Sequence, residues 1–563
     1  MMAVTNLKKL PNVKRVKSRP VVFGVCATGD PRVDAASRER CVNIIEMVAT
    51  AIAKNVVMPC GTPVDVVWSP VLIDGEKEAD VVARQFRDAG VNAVVIAPDT
   101  WAFPQLTILS LLSQLPQDMP VNITCGNSGP KPGVVFAQAI NGALAQCGRL
   151  SAMNVGTWPD TGINPQMTES TAKSLIDWCY AALTFAGLKG RRVLVFGHDS
   201  MGMETALAHV LPTRRTFGLE ITRLDMKLLA DMLRKGSYSE KELAELRGWI
   251  DKNIGSRLTL RNEKDSQAFN DSLAMYLIVR DLMAELNAVG GGFMSQLEWG
   301  SDRRGIPMPV ADAMESIFNS NFDHNGSKTV MPFATEADVQ GLLTMLFFTF
   351  LSGGNPQLFM DFRKVWEPWE IQAMAKKMKI GFSTKDVWAM RGFVDGNNSG
   401  SASFNWAGRP GETPATLMKR ISMPLAEDFY FPGGGNSVAF FTPGGIEGIA
   451  GRMAYCAVND RFSLIWDEAI TTEMPEKLSQ AIGKTSNITW PHTFIVPKYA
   501  DMIEYKQYAP ANHFHMTWNL PVARLQHWMD MTGVNSVAPW AARPKFIPNV
   551  DRPQPLLHLI GVK

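Results

Sequence analysis

The sequence predicts an α/β protein with two N-terminal domains, each built on a doubly wound parallel sheet, followed by a β-rich C-terminal domain. Three observations carry this. The chain has 563 residues, enough for about three domains of ~100–200 residues each. Through the first two thirds, short apolar β-branched runs alternate with longer amphipathic segments, the pattern of parallel strands covered by helices. Beyond about Val365 that alternation weakens, and Gly/Pro turns such as Phe431-Pro432-Gly433-Gly434-Gly435 and Thr442-Pro443-Gly444-Gly445 separate shorter runs, which reads as β structure.

The elements follow in chain order. Val21–Val25, Val64–Trp68 and Ala93–Ile96 read as strands, with helices over Ala35–Ala53 and Glu78–Ala89 and another after Pro132; together they form a first domain, 1–188. Gly187-Leu188-Lys189-Gly190 carries a helix stop. A second domain, 189–364, opens on strand Arg192–Phe196 and continues through strand Leu219–Asp225 and helices Met226–Arg234, Glu240–Asn253 and Asn262–Leu286. Gly290-Gly291-Gly292 and the stretch from Gly300 to Pro309 read as irregular. An apolar helix, Gln340–Leu351, then leads through Ser352-Gly353-Gly354-Asn355-Pro356 into strand Gln357–Phe362, which ends this domain with Asp361 near its close. The third domain is 365–563. No short repeat and no low-complexity tract interrupts the chain.

Composition removes several functional classes. Lys+Arg 56 against Asp+Glu 54 leaves a net charge of +2, no long-range field for nucleic acid or an anionic membrane. The most apolar stretch, Leu342 to Leu351, is about half of the ~20 residues a membrane span needs. Behind a basic N-terminus, Val21 to Ala27 is too short for a secretory leader and reads as a first strand. Seven cysteines without CxxC spacing suggest neither a disulfide framework nor a zinc ribbon, and fit a reducing cytoplasm.

Two carboxylates stand at places where α/β folds put ligand groups: Glu336, at the start of the apolar helix, and Asp361, at the end of an apolar strand. Each also has an ordinary structural reading, Glu336 as a first-turn residue favoured by the helix dipole and Asp361 as a partner of Arg363. Pro510-Ala511-Asn512-His513-Phe514-His515 offers an imidazole in a chain with only eight histidines, and His515 competes with His513 for that part. One imidazole with two carboxylates suits a Mn-, Fe- or Mg-type ion better than structural zinc. Spacing alone does not join 336, 361 and 513. The turn from Phe196 to Met203 could cradle an anion, but it lacks the dinucleotide and P-loop spacings, and no nucleophile elbow or HExxH helix occurs. Trp101, Tyr430 and Trp490 border loops, where aromatic faces can stack on a sugar.

A set of motifs joins these residues. Asp199-Ser200-Met201-Gly202-Met203, Leu224-Asp225-Met226, Ala334-Thr335-Glu336, Phe359-Met360-Asp361-Phe362-Arg363, Asn398-Ser399-Gly400-Ser401, Gly433-Gly434-Gly435, Thr489-Trp490-Pro491 and Ala511-Asn512-His513 occur in family order over nearly the whole chain, which resembles the L-fucose isomerase family of Mn2+-dependent aldose-ketose isomerases. The resemblance implies a cytoplasmic isomerase interconverting an aldose and its ketose, of the L-fucose/L-fuculose or D-arabinose/D-ribulose type. It implies Glu336, Asp361 and His513 as ligands of Mn2+ or another divalent ion, and Glu336 and Asp361 as acid/base groups, with Glu336 the principal proton shuttle. Trp101, Met201, Ser399, Tyr430, Trp490 and Asn512 would bind the sugar. The assembly would be a homo-oligomer, a hexamer, with Trp101 and the region of Cys26 to Arg32 reaching a neighbour's pocket. No nucleic-acid or membrane partner is implied.

The chain also departs from the family pattern. Cys26-Ala27 stands where members carry an Arg-Pro pair, and Met294 stands where they carry glutamine. Exchanging a hydrogen-bonding group for an apolar one can change sugar discrimination by orders of magnitude. A different sugar, including an anionic one met by Arg32, and a sugar-binding homologue without turnover therefore remain alternatives.

Overall fold

The computed structural model describes residues 20–126, 133–158, 162–198, 202–294, 308–397 and 402–537, without the side chains of 504, 507 and 508. The described residues form two compact units, one of residues 20–189 joined by Pro521–Thr532, the other built on Gly190–Leu520 with residues 533–537.

The first unit is a parallel sheet of β1 (Val22–Cys26), β2 (Asp65–Trp68), β3 (Ala93–Ile96), β4 (Val121–Gly126) and β5 (Ser151–Gly156) in the order β2-β1-β3-β4-β5. Its central strands are buried on both faces, which is why they read as unbroken apolar runs. A helix from the far end of the chain, Val522–Thr532, belongs here and not with the C-terminal domain to which its sequence position assigned it. Its Arg524 donates to Asp177 at 2.7 Å and lies 3.9 Å over the ring of Tyr180. Asp177 is 2% exposed, and a carboxylate so buried requires a cation.

The second unit starts with β6 (Arg192–Phe196), β7 (Glu220–Leu224) and β8 (Ala288–Phe293). A small hairpin, β9 (Phe322–Asp323) and β10 (Gly326–Ser327), precedes β11 (Phe333–Ala334). The parallel sheet runs β11-β8-β6-β7. Gly290-Gly291-Gly292, expected to be irregular, is therefore an inner strand. Glycine is poor strand material, but here it permits close approach. A Cβ at Gly290 would stand 2.8 Å from the Pro332 carbonyl oxygen, and one at Gly292 would stand 2.8 Å from that of Ala334.

The remaining strands form an antiparallel barrel. They are β12 (Leu358–Trp366), β13 (Phe393–Asn397), β14 (Glu447–Cys456), β15 (Arg461–Thr471), β16 (His492–Pro497) and β17 (His513–Trp518). The order β14-β17-β12-β13-β16-β15 closes through the long β14–β15 hairpin, and β18 (Asn535–Val537) adds to β15 in parallel. This corrects the placement of Asp361. Its strand pairs antiparallel with β13 and β17, so Asp361 is a barrel residue and not the end of a parallel strand in the second sheet. Both faces of β12 around it are buried, and an apolar run of that kind reads the same in either setting.

Helix Val339–Leu351 is buried at every position and packs against β8 and β11 on one side and β14 and β17 on the other. A helix apolar all round needs such a double cover, and it joins sheet and barrel into one unit. All seven cysteines are free thiols. Among the described residues no helix is long and apolar enough to cross a membrane.

Candidate active site at the mouth of the barrel

Helix Val339–Leu351 begins one residue ahead of the Gln340 start read from sequence, and the residue that caps it bears on chemistry. Asp338, not Glu336, is the N-cap, accepting from Gly341 N at 2.9 Å. Glu336 lies ahead of the helix with φ 61° and Ala337 follows with φ 49°. Two successive non-glycine residues in the left-handed region cost about 1–3 kcal/mol each, so Glu336 is not a first-turn residue stabilised by the helix dipole. Its loop is held from the flanks. Thr335 Oγ1 donates to Glu315 at 2.6 Å, and the Asn319 amide pairs with both Phe333 N and Phe333 O at 2.8 Å.

The barrel supplies the facing groups. Register pairs Asp361 of β12 with His513 of β17. His513 Nε2 stands 3.4 Å from Glu336 Oε2 and 3.4 Å from Asp361 Oδ1. It makes no hydrogen bond among the described residues although it is buried. The opposite ring nitrogen, Nδ1, lies 2.7 Å from Asp338 Oδ2. Asp361 is steadied by Asn512 Nδ2 at 2.8 Å and Arg363 at 3.1 Å, so the Arg363 pairing coexists with a place in the site. His515, two residues along the same strand, turns to Arg452 at 3.3 Å; His513 is the histidine that meets the carboxylates.

The electrostatics follow from burial and proximity. Burial opposes charge on His513, but Asp338, Glu336 and Asp361 outweigh it and push its pKa up to about 10. Burial also raises the Asp361 carboxyl, against the pull of His513 and Arg363 and with the push of Glu336. For Asp338 burial acts upward too, yet Arg452 and His513 prevail and hold it well below the usual carboxylate range. Desolvation, then the charge of Arg452, keep His515 neutral.

These groups open onto a cavity of about 390 Å³ lined by Glu336, Asp361, Phe362, Arg363, Tyr430, Trp490 and Asn512. Tyr430 and Trp490 form one wall with ring centroids 5.9 Å apart, and Arg363 lies 5.4 Å from the Trp490 ring. The buried indole N–H of Trp490 has no acceptor among the described residues.

Six of the residues singled out from sequence, Glu336, Asp361, Tyr430, Trp490, Asn512 and His513, thus sit together. Trp101 belongs to the first unit, where its ring packs edge-on against Phe136 at 5.6 Å and Phe103 at 6.2 Å. Arg32, considered for an anionic sugar, is bound by Asp30 at 2.8 Å. Met201 and Ser399 lie outside the described residues. Sequence reasoning missed Asp338 and Arg452, although an aspartate directly before an apolar helix is itself an N-cap signal.

Among the described residues no three His, Cys, Asp or Glu side chains already have the arrangement of a formed metal centre. The donor set nevertheless fits a divalent ion. A buried imidazole nitrogen without a partner stands equally far from two carboxylates at the wall of a cavity, and a nitrogen with carboxylate oxygens suits Mn2+ or a similar cation.

Comparison with known proteins agrees with this organisation. Residues 20–190 match the domain described as "L-fucose isomerase, first N-terminal domain", and residues 191–353 match "L-fucose isomerase, second N-terminal domain". The L-fucose isomerase of Shigella dysenteriae serotype 1 is 25% identical over 97% of this chain and 98% of its own length. That of Escherichia coli O6:K15:H31 is 26% identical over 87% and 86%, and that of Streptococcus pneumoniae serotype 4 is 26% identical over 81% of each. Matched through both N-terminal domains by family models and along nearly its full length by a relative, the chain belongs to the L-fucose isomerase family.

Proposed function

We propose that the protein is a metal-assisted aldose-ketose isomerase acting on an open-chain sugar of the L-fucose or D-arabinose type. The observation that carries the reading is His513 Nε2, buried, without a hydrogen bond among the described residues, and 3.4 Å from both Glu336 and Asp361 at the wall of the cavity. The cavity, about 390 Å³, lies in the range of small-molecule sites, roughly 300–1,000 Å³. Family relatives carrying the name L-fucose isomerase support the substrate class.

Glu336, Asp361 and His513 would hold the ion, Mn2+ or another divalent cation. When bound it supplies Lewis acidity, stabilising negative charge that develops on the sugar oxygens at C1 and C2. Moving the carbonyl from C1 to C2 requires a proton to leave C2 and one to arrive at C1 through a cis-enediol. Glu336 is assigned that transfer, with Asp361 as the second carboxylate of the pair. Its backbone is locked in a left-handed conformation, which fixes the carboxylate against the cavity instead of along a helix. Asn512 and Arg363 orient Asp361. Tyr430 and Trp490 offer apolar faces to the C–H side of the sugar and limit water around the enediol, while the Trp490 N–H can donate to a hydroxyl. A homo-oligomer and a cytoplasmic setting belong to the same proposal.

The reading is tested by removing metal with EDTA and assaying ketose formation from a panel of aldoses, with and without restored Mn2+. Activity that disappears with chelation and returns with the ion supports it. Undiminished turnover in EDTA contradicts it.

A further inference from the structure

Behind the carboxylate pair lies an ion pair that does not line the cavity. Asp338 is 0% and Arg452 1% exposed by side chain. Two charges withdrawn this far from water cost more than they return unless their geometry is well satisfied, so their retention calls for a reason. Every acceptor position on Asp338 is in use. Oδ1 accepts from Gly341 N at 2.9 Å and from Arg452 at 2.8 Å, while Oδ2 accepts from the second Arg452 nitrogen and lies 2.7 Å from His513 Nδ1. Arg452 also donates to the Thr205 carbonyl at 2.7 Å.

The space for this junction exists because residue 341 is glycine. A Cβ there would stand 2.5 Å from the Arg452 guanidinium, 2.6 Å from Asp338 Oδ2 and 2.8 Å from His515 Nε2. Three elements meet in that notch: the cap of helix Val339–Leu351, β14 through Arg452, and β17 through His513 and His515. A carboxylate that engages one ring nitrogen of a histidine fixes which nitrogen carries the proton and where the other one points. Here the other nitrogen is the one between Glu336 and Asp361.

We propose that Asp338, clamped by Arg452 in the notch left open by Gly341, is a positioning residue that sets the tautomer and aim of His513 for divalent-metal binding. This rests on the metal-dependent reading of the site. Asp338 does not touch the substrate cavity; it acts through His513, and Arg452 acts through Asp338. A carboxylate of this kind behind a ligand histidine is worth about 10–100-fold in metal affinity.

The test measures free Mn2+ by electron paramagnetic resonance during titration of the EDTA-stripped full chain, with the thermal midpoint recorded in EDTA. The variants are Asp338→Asn, Arg452→Lys, His513→Gln and the double variant Asp338→Asn/His513→Gln. We expect Asp338→Asn to bind Mn2+ about 10–100-fold more weakly than the wild-type protein, and the same substitution to add little once His513 is gone. Arg452→Lys keeps the charge while losing the two-pronged contact. It should weaken binding in the same direction and keeps the proposal testable if Asp338→Asn does not fold. A folded Asp338→Asn with wild-type affinity overturns the proposal, as does an equal loss in both His513 backgrounds. A wild-type chain that takes up no divalent ion overturns the metal reading itself, an outcome separate from the failure of Asp338 alone.

Discussion

The C-terminal edge of the first sheet and the mouth of the barrel both gather carboxylates and arginines, but they balance them differently. At the first, three acids each have a cation: Asp30 with Arg32 at 2.8 Å, Asp74 with Arg38 at 2.7 Å, Asp99 with Arg40 at 2.8 Å. At the second, Arg452 is consumed by Asp338 and Arg363 by Asp361, and a buried ring nitrogen is left over between two acids. Closed pairs hold a fold together. A leftover donor beside a cavity is what a ligand site looks like before the ligand is considered.

The comparison breaks most visibly at the carboxylates. Glu336→Gln and Asp361→Asn should each lower turnover by about 10²–10⁴-fold, the span of a lost general acid or base, with thermal midpoints near that of the parent. Asp99→Asn, in the first unit, should lower the thermal midpoint while leaving Mn2+ affinity as it was. A steady-state assay with parallel calorimetry separates the two patterns. Equal effects on turnover and stability at both places would erase the distinction.

Next in size is the support of the Glu336 loop. Gly292→Ala would set a Cβ 2.8 Å from the Ala334 carbonyl oxygen, pushing β11 and the loop it feeds. Overpacking of this kind costs about 1–3 kcal/mol, and misplacing a reacting group by about 1 Å costs roughly 10²-fold in rate. Denaturant unfolding and kcat measured on the same preparation should both report the change.

Two fully buried aspartates sharpen the contrast through pH. Asp338 has Arg452, whereas Asp312 makes no ion pair among the described residues, and its Oδ2 has no hydrogen-bond partner. Burial, only partly offset by Ser437, pushes Asp312 up to about 7. A carboxyl whose folded pKa is raised binds its proton more tightly when folded. Its contribution is therefore complete below the ordinary carboxylate pKa of about 4 and is lost as pH rises through about 7. Stability by urea unfolding should fall between pH 4 and 8 by an amount on the order of a few kcal/mol, and Asp312→Asn should flatten that slope. An unchanged slope in the variant would remove Asp312 as its source.

The smallest effect belongs to the aromatic wall. Trp490→Phe keeps an apolar face and removes the N–H. One neutral hydrogen bond is worth about 0.5–1.5 kcal/mol, so KM for the sugar should rise by roughly 3–10-fold with kcat little altered.

Much of the fold was legible in the chain because buried parallel strands and amphipathic helices leave strong periodic signals. Helix Met226–Arg234 and strand Arg192–Phe196 fall where the pattern puts them. Gly290-Gly291-Gly292 was illegible because glycine signals a turn by composition, and only the neighbouring backbones of β11 and β6 show why a strand needs it. Asp361 could be recognised as a site candidate but not assigned to the barrel, since an apolar run carries no record of its partners' direction. The β14–β15 hairpin lacks a clean alternation because most of its positions are buried on both faces. The site was reachable through short motifs, whereas Asp338 and Arg452, 114 residues apart, are joined only by the fold.

The most direct test of the central claim is proton transfer itself. The metal-stripped protein is incubated in D2O with Mn2+ and a panel of aldoses that includes L-fucose and D-arabinose, and deuterium at C2 of the aldose and C1 of the ketose is followed by NMR. Ketose formation with deuterium incorporation is expected on at least one sugar, only when Mn2+ is present, and neither is expected in Glu336→Gln. Absence of exchange on every aldose, with Mn2+ bound and sugar binding measured, would contradict that claim.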